Sequence, residues 1–349
     1  MTDSLARPKT ASASQGANHN RSESVCEYTA PVVSLTRASS YEVQPLRQSL
    51  EALLDPFGGM AAFVKPGDRV LLKPNLLTGA RPTRECTTRP ELVHCVAQMV
   101  QEVGGLPFLG DSPAFGSAHG VAKANGYLPW LESINVPIRE FQGQRYETIS
   151  QEFSHLRLCK EAIAADVVIN LPKVKSHVQL TLTLGVKNLF GCVPGKMKAW
   201  WHLEAGKDRE KFGRMLVETA RAIAPNLTIA DGIIAHEGNG PSGGDPRSLN
   251  LLAASPNVFA LDRALAKILG ASPETIPTLV AAEQLGLNPE LNDVQFPLEH
   301  PEQIAVSDWK FPSHLVPIDF GLPRVMKSTL RHLYIRYIRE PLNAYARAR

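Results

Sequence analysis

The sequence predicts an α/β protein: a mainly parallel sheet with helices on both faces, plus a basic amphipathic helix at its C-terminal end. Three observations predict it. Short apolar runs of strand length alternate with segments of helical period. Four of those runs are almost wholly apolar, as strands covered on both faces must be. Four of them also end in polar residues, and in open parallel sheets ligands bind outside the carboxyl ends of the strands.

The elements follow in chain order. Residues 1–28 are polar, serine-rich and without hydrophobic period, which predicts a disordered tail. They hold no apolar core of a secretory signal. PVVSLT (31–36) starts the sheet and VQPLRQSLEALL is the first helix. RVLLK (69–73) is the second strand. It precedes the helix RPELVHCVAQMVQEV, for which Thr88 is the expected cap, with Pro90 and Glu91 in the first turn. PFLGD (107–111), DVVINL (166–171), LTIAD (227–231), LNLLAAS (249–255) and QIAV (303–306) read as further strands. REKFGRMLVETARAIA and NVFALDRALAKILG read as helices, the second introduced by Ser255-Pro256. Residues 29–320 then form the α/β domain. Residues 321–349 form a helical extension stopped by Pro341, with seven basic residues against one acid, a net of +6.

Composition bounds the function. The 349 residues carry 37 Lys+Arg and 34 Asp+Glu, a net of +3, so everything before the extension sums to −3. A near-neutral chain is no nucleic-acid coat, and nucleic acid is not an expected partner. Charged residues make up 20% and hydrophobic ones 44%, as in ordinary globular chains. No run approaches the roughly 18 apolar residues of a transmembrane segment. The cysteines, Cys26, Cys86, Cys95, Cys159 and Cys192, are odd in number, widely spaced and free of any C-x-x-C. This disfavours a disulfide framework, a zinc site or an iron–sulfur cluster held by this chain, and leaves the cofactor unknown. The expected compartment is the cytoplasm. The basic helix offers a peripheral contact with an anionic membrane.

The site candidates come from the strand ends. RVLLK runs into Lys73-Pro74-Asn75, PFLGD ends at Asp111-Ser112, DVVINL leads through Asn170 to Lys173, and LTIAD ends at Asp231. A lysine at a buried strand end needs a partner. From Val167 to Leu203 there is no acid, while Lys173, Lys175, Lys187, Lys196 and Lys198 fall there with His177 and His202. Such a charge gap attracts an anionic group, phosphate or carboxylate, unless Asp111, Asp231 and Glu237 neutralise it from elsewhere. The segment 229–247 has five glycines in 13 residues: Gly232, Gly238, Gly240, Gly243 and Gly244. Such a loop can aim backbone N–H groups at an anion. The expected ligand-binding set is therefore Lys73, Asn75, Ser112, Asn170, Lys173, Lys175, Lys187, Asn188, Gly238, Asn239, Gly240, Gly243 and Gly244. Asp111, His177, Asp231 and Glu237 are the candidate proton-transfer groups or hard-metal ligands.

Taken together, VLLKPNLL, TTRPELV, LGDSPAFGS, ADVVINLPKVKSH, LTLGVKNLFGCVPG, ADGIIAHEGNGPSGG and ASPNVFALDRALAKILG resemble the family called domain of unknown function 362. The order and spacing of these stretches cover about residues 30–310. The resemblance implies a conserved α/β domain in a redox setting, with an electron-carrier protein as a partner, because many relatives carry a ferredoxin-like module with paired four-iron clusters. The chain departs from them in lacking any C-x-x-C-x-x-C run. The expected function is an enzyme acting on an anionic small molecule at the carboxyl edge of the sheet. The alternative is a non-catalytic ligand-binding or scaffold protein that lost the ferredoxin module.

Overall fold

The computed structural model describes residues 30–80, 82–147 and 151–318, together with Leu330, Tyr334 and Ile338. The expected tail and most of the basic extension lie outside the described residues. The strands are β1 Ser34–Arg37, β2 Arg69–Pro74, β3 Leu106–Asp111, β4 Ile138–Glu140, β5 Arg145–Glu147, β6 Leu156–Leu158, β7 Val167–Leu171, β8 Lys173–His177, β9 Thr181–Thr183, β10 Leu227–Glu237 and β11 Asp245–Ser255. The helices are α1 Val43–Leu54, α2 Pro90–Glu102, α3 Ala118–Ala124, α4 Leu128–Glu132, α5 Lys160–Ile163, α6 Gly185–Asn188, α7 Gly195–Ala205, α8 Arg209–Ile223, α9 Val258–Ile268 and α10 Pro277–Gln284.

The main sheet runs in the order β1-β11-β10-β7-β2-β3-β4. From β10 through β4 every neighbouring pair is parallel, while β11 is antiparallel to β10 and β1 antiparallel to β11. Beyond the carboxyl end of β7, Pro172 interrupts the strand. The chain resumes as β8, which pairs parallel with β10, and β9 folds back antiparallel on β8. Strand alternation sends side chains to opposite faces. Val70 and Leu72 enter a core with Leu46 and Leu50 of α1 and Val93 and Val96 of α2. Leu71 and Val168 enter the opposite core with Phe212 and Leu216 of α8. A third core sets β11, through Leu251 and Ala253, against Leu261 and Leu265 of α9. Helices thus cover both faces, as the all-apolar strands required.

Three expectations need correction. QIAV is not a strand: Pro301–Gln303 forms a short 3₁₀ turn, and Ile304 and Val306 are half-buried against the α9 core, with Val306 N–H donating to Ile268 O at 2.8 Å. Its apolar residues serve packing on a helix, not a ladder. Thr88 does not cap α2, because Pro90 is the first helical residue and Arg89 occupies the cap. The Thr88 hydroxyl instead donates to Leu171 O and accepts from Asn75 N–H, tying β7 to the end of β2. Finally, most of 229–247 is not loop: β10 and β11 are two long antiparallel strands, and only 238–244 turns between them.

One buried carboxylate places a short helix that matters for the site. Asp262 on α9 accepts from Gly185 N–H at 2.7 Å and Val186 N–H at 3.0 Å, fixing the start of α6 and hence Lys187 and Asn188. A Cβ on Gly185 would stand 2.9 Å from that carboxylate and 2.6 Å from Val258. Burial pushes the Asp262 carboxyl up to about 7, against the pull of the two N–H groups. A carboxyl raised in the folded state contributes stability that is present below its unfolded value and lost as pH rises through about 7. Asp262→Asn is therefore expected to flatten the decline of urea stability between pH 5 and pH 8 that the wild type shows. Parallel slopes for the two proteins would refute this.

Candidate functional site

The register of the parallel strands brings the polar ends side by side: Lys73 lies opposite Asn170, Asn170 opposite Thr228, and Lys173 opposite Asp231. Lys73, Lys173 and Lys175 are essentially inaccessible, at 1%, 0% and 0% exposure. Ammonium groups so far from water need compensation, and two of the three have it as carboxylates. Lys73 Nζ pairs with Asp111 Oδ1 at 3.0 Å and donates to Pro74 O at 2.7 Å. Asp111 also accepts from Leu76 N–H at 3.0 Å and Ser112 N–H at 2.8 Å. Gly191 lies against this pair: a Cβ there would stand 2.1 Å from Asp111 Oδ1 and 2.5 Å from Lys73 Nζ.

Lys173 Nζ contacts Asp231 Oδ2 at 3.1 Å, Glu85 Oε2 at 3.4 Å and the Tyr41 hydroxyl at 3.1 Å. Tyr41 donates to Asp231 Oδ1 at 2.6 Å, and Arg89 N–H donates to Asp231 Oδ2. Burial, reinforced by Asp231, raises the Tyr41 phenol well above its usual range, so it stays protonated and donating. Burial also raises the Glu85 carboxyl, against the pull of Lys173 and Arg89.

Lys175 has no carboxylate partner among the described residues. Its Nζ donates to Asn75 Oδ1 at 2.9 Å and Cys86 O at 2.6 Å. Burial, with Lys173 adding to it, brings its ammonium down to about 7. Three asparagines form a chain beneath it. Asn75 donates to Asn188 at 3.0 Å, Asn188 to Asn170 at 2.8 Å and to Lys73 O at 3.1 Å, and Asn170 to Gly185 O at 3.0 Å.

Lys187 is different again. It is half-buried and makes no ion pair or hydrogen bond among the described residues, and its Nζ sits 4.6 Å from the centre of the Phe190 ring. Burial, then the charges of Lys198, Lys175 and Lys73, lower it to about 7. Lysines from β2, β8, α6 and α7 therefore act on one another within one region. Lys198 reaches the same ring at 5.8 Å and donates to Ser112 O. His177 Nδ1 accepts from Gln179 N–H at 3.1 Å. Burial, then Lys187 and Lys175, hold its ring well below the usual histidine range, so it is neutral, and with Nδ1 accepting, the proton sits on Nε2.

The remaining candidates are placed elsewhere in the network. Glu237 binds Lys310, accepting from its N–H at 3.2 Å and lying 3.5 Å from its Nζ. Gly238 N–H donates to Lys310 O, Gly240 N–H to Gly238 O, and Gly244 N–H to His236 Nε2. Asn239 Oδ1 accepts from Ser313. These glycines permit close backbone approach: a Cβ on Gly240 would stand 1.9 Å from Ser176 O, and one on Gly244 1.9 Å from Glu237 O. Gly243 has the Asn239 carbonyl 2.9 Å from its would-be Cβ. Among the described residues no cluster of three His, Cys, Asp or Glu side chains could hold a metal ion. Sequence reasoning missed Tyr41, Glu85 and Gly191, which carry no local pattern. It named Lys198 in the charge gap without placing it in the site.

The fold and the site define an α/β protein with a lysine-rich, largely internally paired carboxyl edge. The family described as Domain of unknown function (DUF362) matches residues 70–267, and the chain belongs to it. The chain is 67% identical over 313 residues to the thylakoid-associated protein sll1697 of Synechocystis sp. (strain ATCC 27184 / PCC 6803 / Kazusa), covering 90% of this chain and 98% of that protein. It is also similar to the lactate racemase apoprotein from Thermoanaerobacterium thermosaccharolyticum, at 12% identity and a TM-score of 0.43, covering 65% of this chain and 54% of that one.

Gly191→Ala tests the Lys73–Asp111 pair. Forcing apart a buried ion pair costs about 3–5 kcal/mol, which should appear as an equal loss in urea unfolding. Wild-type stability in the variant would show that the pair has room to shift.

Proposed function

We propose that the carboxyl edge binds the anionic group, phosphate or carboxylate, of a small molecule on which the protein acts as an enzyme. One observation carries the reading: Lys187 is a half-buried ammonium with no acidic partner among the described residues, set among three further lysines. Like charges gathered away from water repel, and a bound anion relieves that repulsion. Lys73 and Lys173 already have carboxylates. The ligand is therefore met by Lys187 and Lys198, with Lys175 behind them. His177 is the proton-transfer group nearest in electrostatic terms, since Lys187 is the first charge acting on it.

Sulfate, which does not titrate near neutrality, is the probe. Removing one charge-assisted contact costs about 1.5–3 kcal/mol, so Lys187→Ala should bind sulfate about ten- to a hundredfold more weakly by calorimetry. A lysine lowered to about 7 is cationic below that pH and neutral above it, so sulfate affinity should be higher at pH 6 than at pH 8. Unchanged sulfate affinity in the variant would reject the site.

A second observation favours a peripheral membrane contact. Among the described residues no helix is long and apolar enough to cross a membrane. Yet Leu330, Tyr334 and Ile338, spaced four apart, are 63%, 55% and 48% exposed, within the stretch that carries seven basic residues against one acid. An apolar stripe beside basic residues lies well at the surface of an anionic bilayer. The relative sll1697 is named as thylakoid-associated. The full chain should float with phosphatidylglycerol vesicles at low salt and be released as salt rises. A chain lacking 321–349 should stay behind. Equal flotation of both would place the contact elsewhere.

A further inference from the structure

We propose that Lys187 is an amine nucleophile that forms a Schiff base with the carbonyl of a small oxo acid. This rests on the anion-site reading and adds a reaction to it. The side chain has what such a nucleophile needs. It is half-buried and so reachable, it is held by no carboxylate or hydrogen bond among the described residues, and its Nζ lies on the face of Phe190. Lysines are activated for carbonyl chemistry by desolvation or by a neighbouring cation, and Lys187 has both, through its own burial and through Lys198, Lys175 and Lys73. An ammonium brought to about 7 leaves a large fraction of free amine at neutral pH.

The second cation fits the second group of the substrate. Lys187 Nζ and Lys198 Nζ both lie within 6 Å of the same ring centre, at 4.6 and 5.8 Å. An oxo acid carries its carboxylate next to its carbonyl, so one ammonium can hold the acid while the other amine attacks. The amine lone pair of Lys187 forms a C–N bond to the carbonyl carbon as the C=O π bond breaks onto oxygen, and one proton passes from the nitrogen to that oxygen, giving a neutral carbinolamine. A second proton, taken from solvent, lets that oxygen depart as water and leaves a protonated imine, with no change of oxidation state. His177 is neutral, with Nδ1 accepting from the Gln179 N–H, so its Nε2–H can offer the departing oxygen a hydrogen bond while keeping its proton.

The test is reductive trapping on the full chain. Glyoxylate or pyruvate is added with sodium cyanoborohydride, which reduces the imine to a stable amine, and the adduct is mapped by peptide mass spectrometry. Lys187 should be modified about tenfold faster or more than exposed lysines such as Lys65 and Lys267, and sulfate should slow it. Mapping the wild type needs no variant. Lys187→Arg, which keeps the cation, should still bind sulfate and give no adduct at this position. Sulfate binding with no preferential adduct at Lys187 would overturn the nucleophile and leave the anion site standing. A rapid adduct that sulfate does not slow would uphold the nucleophile and overturn the anion site. Modification spread evenly over the lysines would overturn the proposal.

Discussion

The structure depends on how ammonium groups are kept away from water at the end of a parallel sheet. Removing a charge from water is expensive, and only close carboxylates and well-placed hydrogen bonds offset the cost. Lys73 and Lys173 meet this with Asp111 and Asp231, and the surroundings are shaped accordingly. Gly191 leaves the space that Lys73 and Asp111 fill, the Leu76 and Ser112 N–H groups complete the Asp111 carboxylate, and the Tyr41 hydroxyl completes Asp231. Segments far apart in the chain are thus held together by the needs of two charges. A pair of this kind adds little net stability but penalises any arrangement that separates its members.

The sheet was legible because burial on both faces writes itself locally: an all-apolar run such as DVVINL has no other comfortable fate. The polar strand ends were legible for the same reason, since Lys, Asn and Asp stand out where an apolar run stops. Asp111 and Asp231 were legible as neutralising acids, but not which lysine each meets, and Tyr41 and Glu85 were not legible at all. Tyr41, Glu85 and Asp231 meet Lys173 from 132, 88 and 58 residues away, and no local pattern encodes contacts of that range. The glycines of 238–244 stand out in the sequence, but their backbone contacts do not. A glycine that must let a backbone pass and one that must cradle an anion look alike in sequence, and here Gly240 admits the Ser176 carbonyl. QIAV shows the opposite limit, since a short apolar alternation suits packing on a helix as well as a strand.

Charge is partitioned along the chain as well as within the fold. The last 29 residues carry +6 and the remainder −3. At physiological ionic strength exposed charges are felt over about 8 Å, and the membrane contact we propose uses this uneven distribution of charge. The lysines at the carboxyl edge do not blur this division. Lys73, Lys173 and Lys175 are closed within the protein and cannot meet a lipid headgroup. The enclosed lysines organise the interior, although they count in the net charge like any other cation.

The contrast between Lys175 and Lys187 separates structure from chemistry most sharply. Both are brought to about 7 by burial and by neighbouring lysines, so the energy scale alone does not distinguish them. Their surroundings do. Lys175 is fully enclosed and bound to the Asn75 amide oxygen and the Cys86 carbonyl, and those acceptors fix its place whether or not anything else binds. Among the described residues Lys187 makes no ion pair or hydrogen bond and lies over the face of Phe190; it is partly open to solvent and set on a four-residue helix whose start is held by Asp262 from a different element. Its base is anchored, and its tip has no hydrogen-bond partner among the described residues. This difference is what the proposed role of Lys187 rests on.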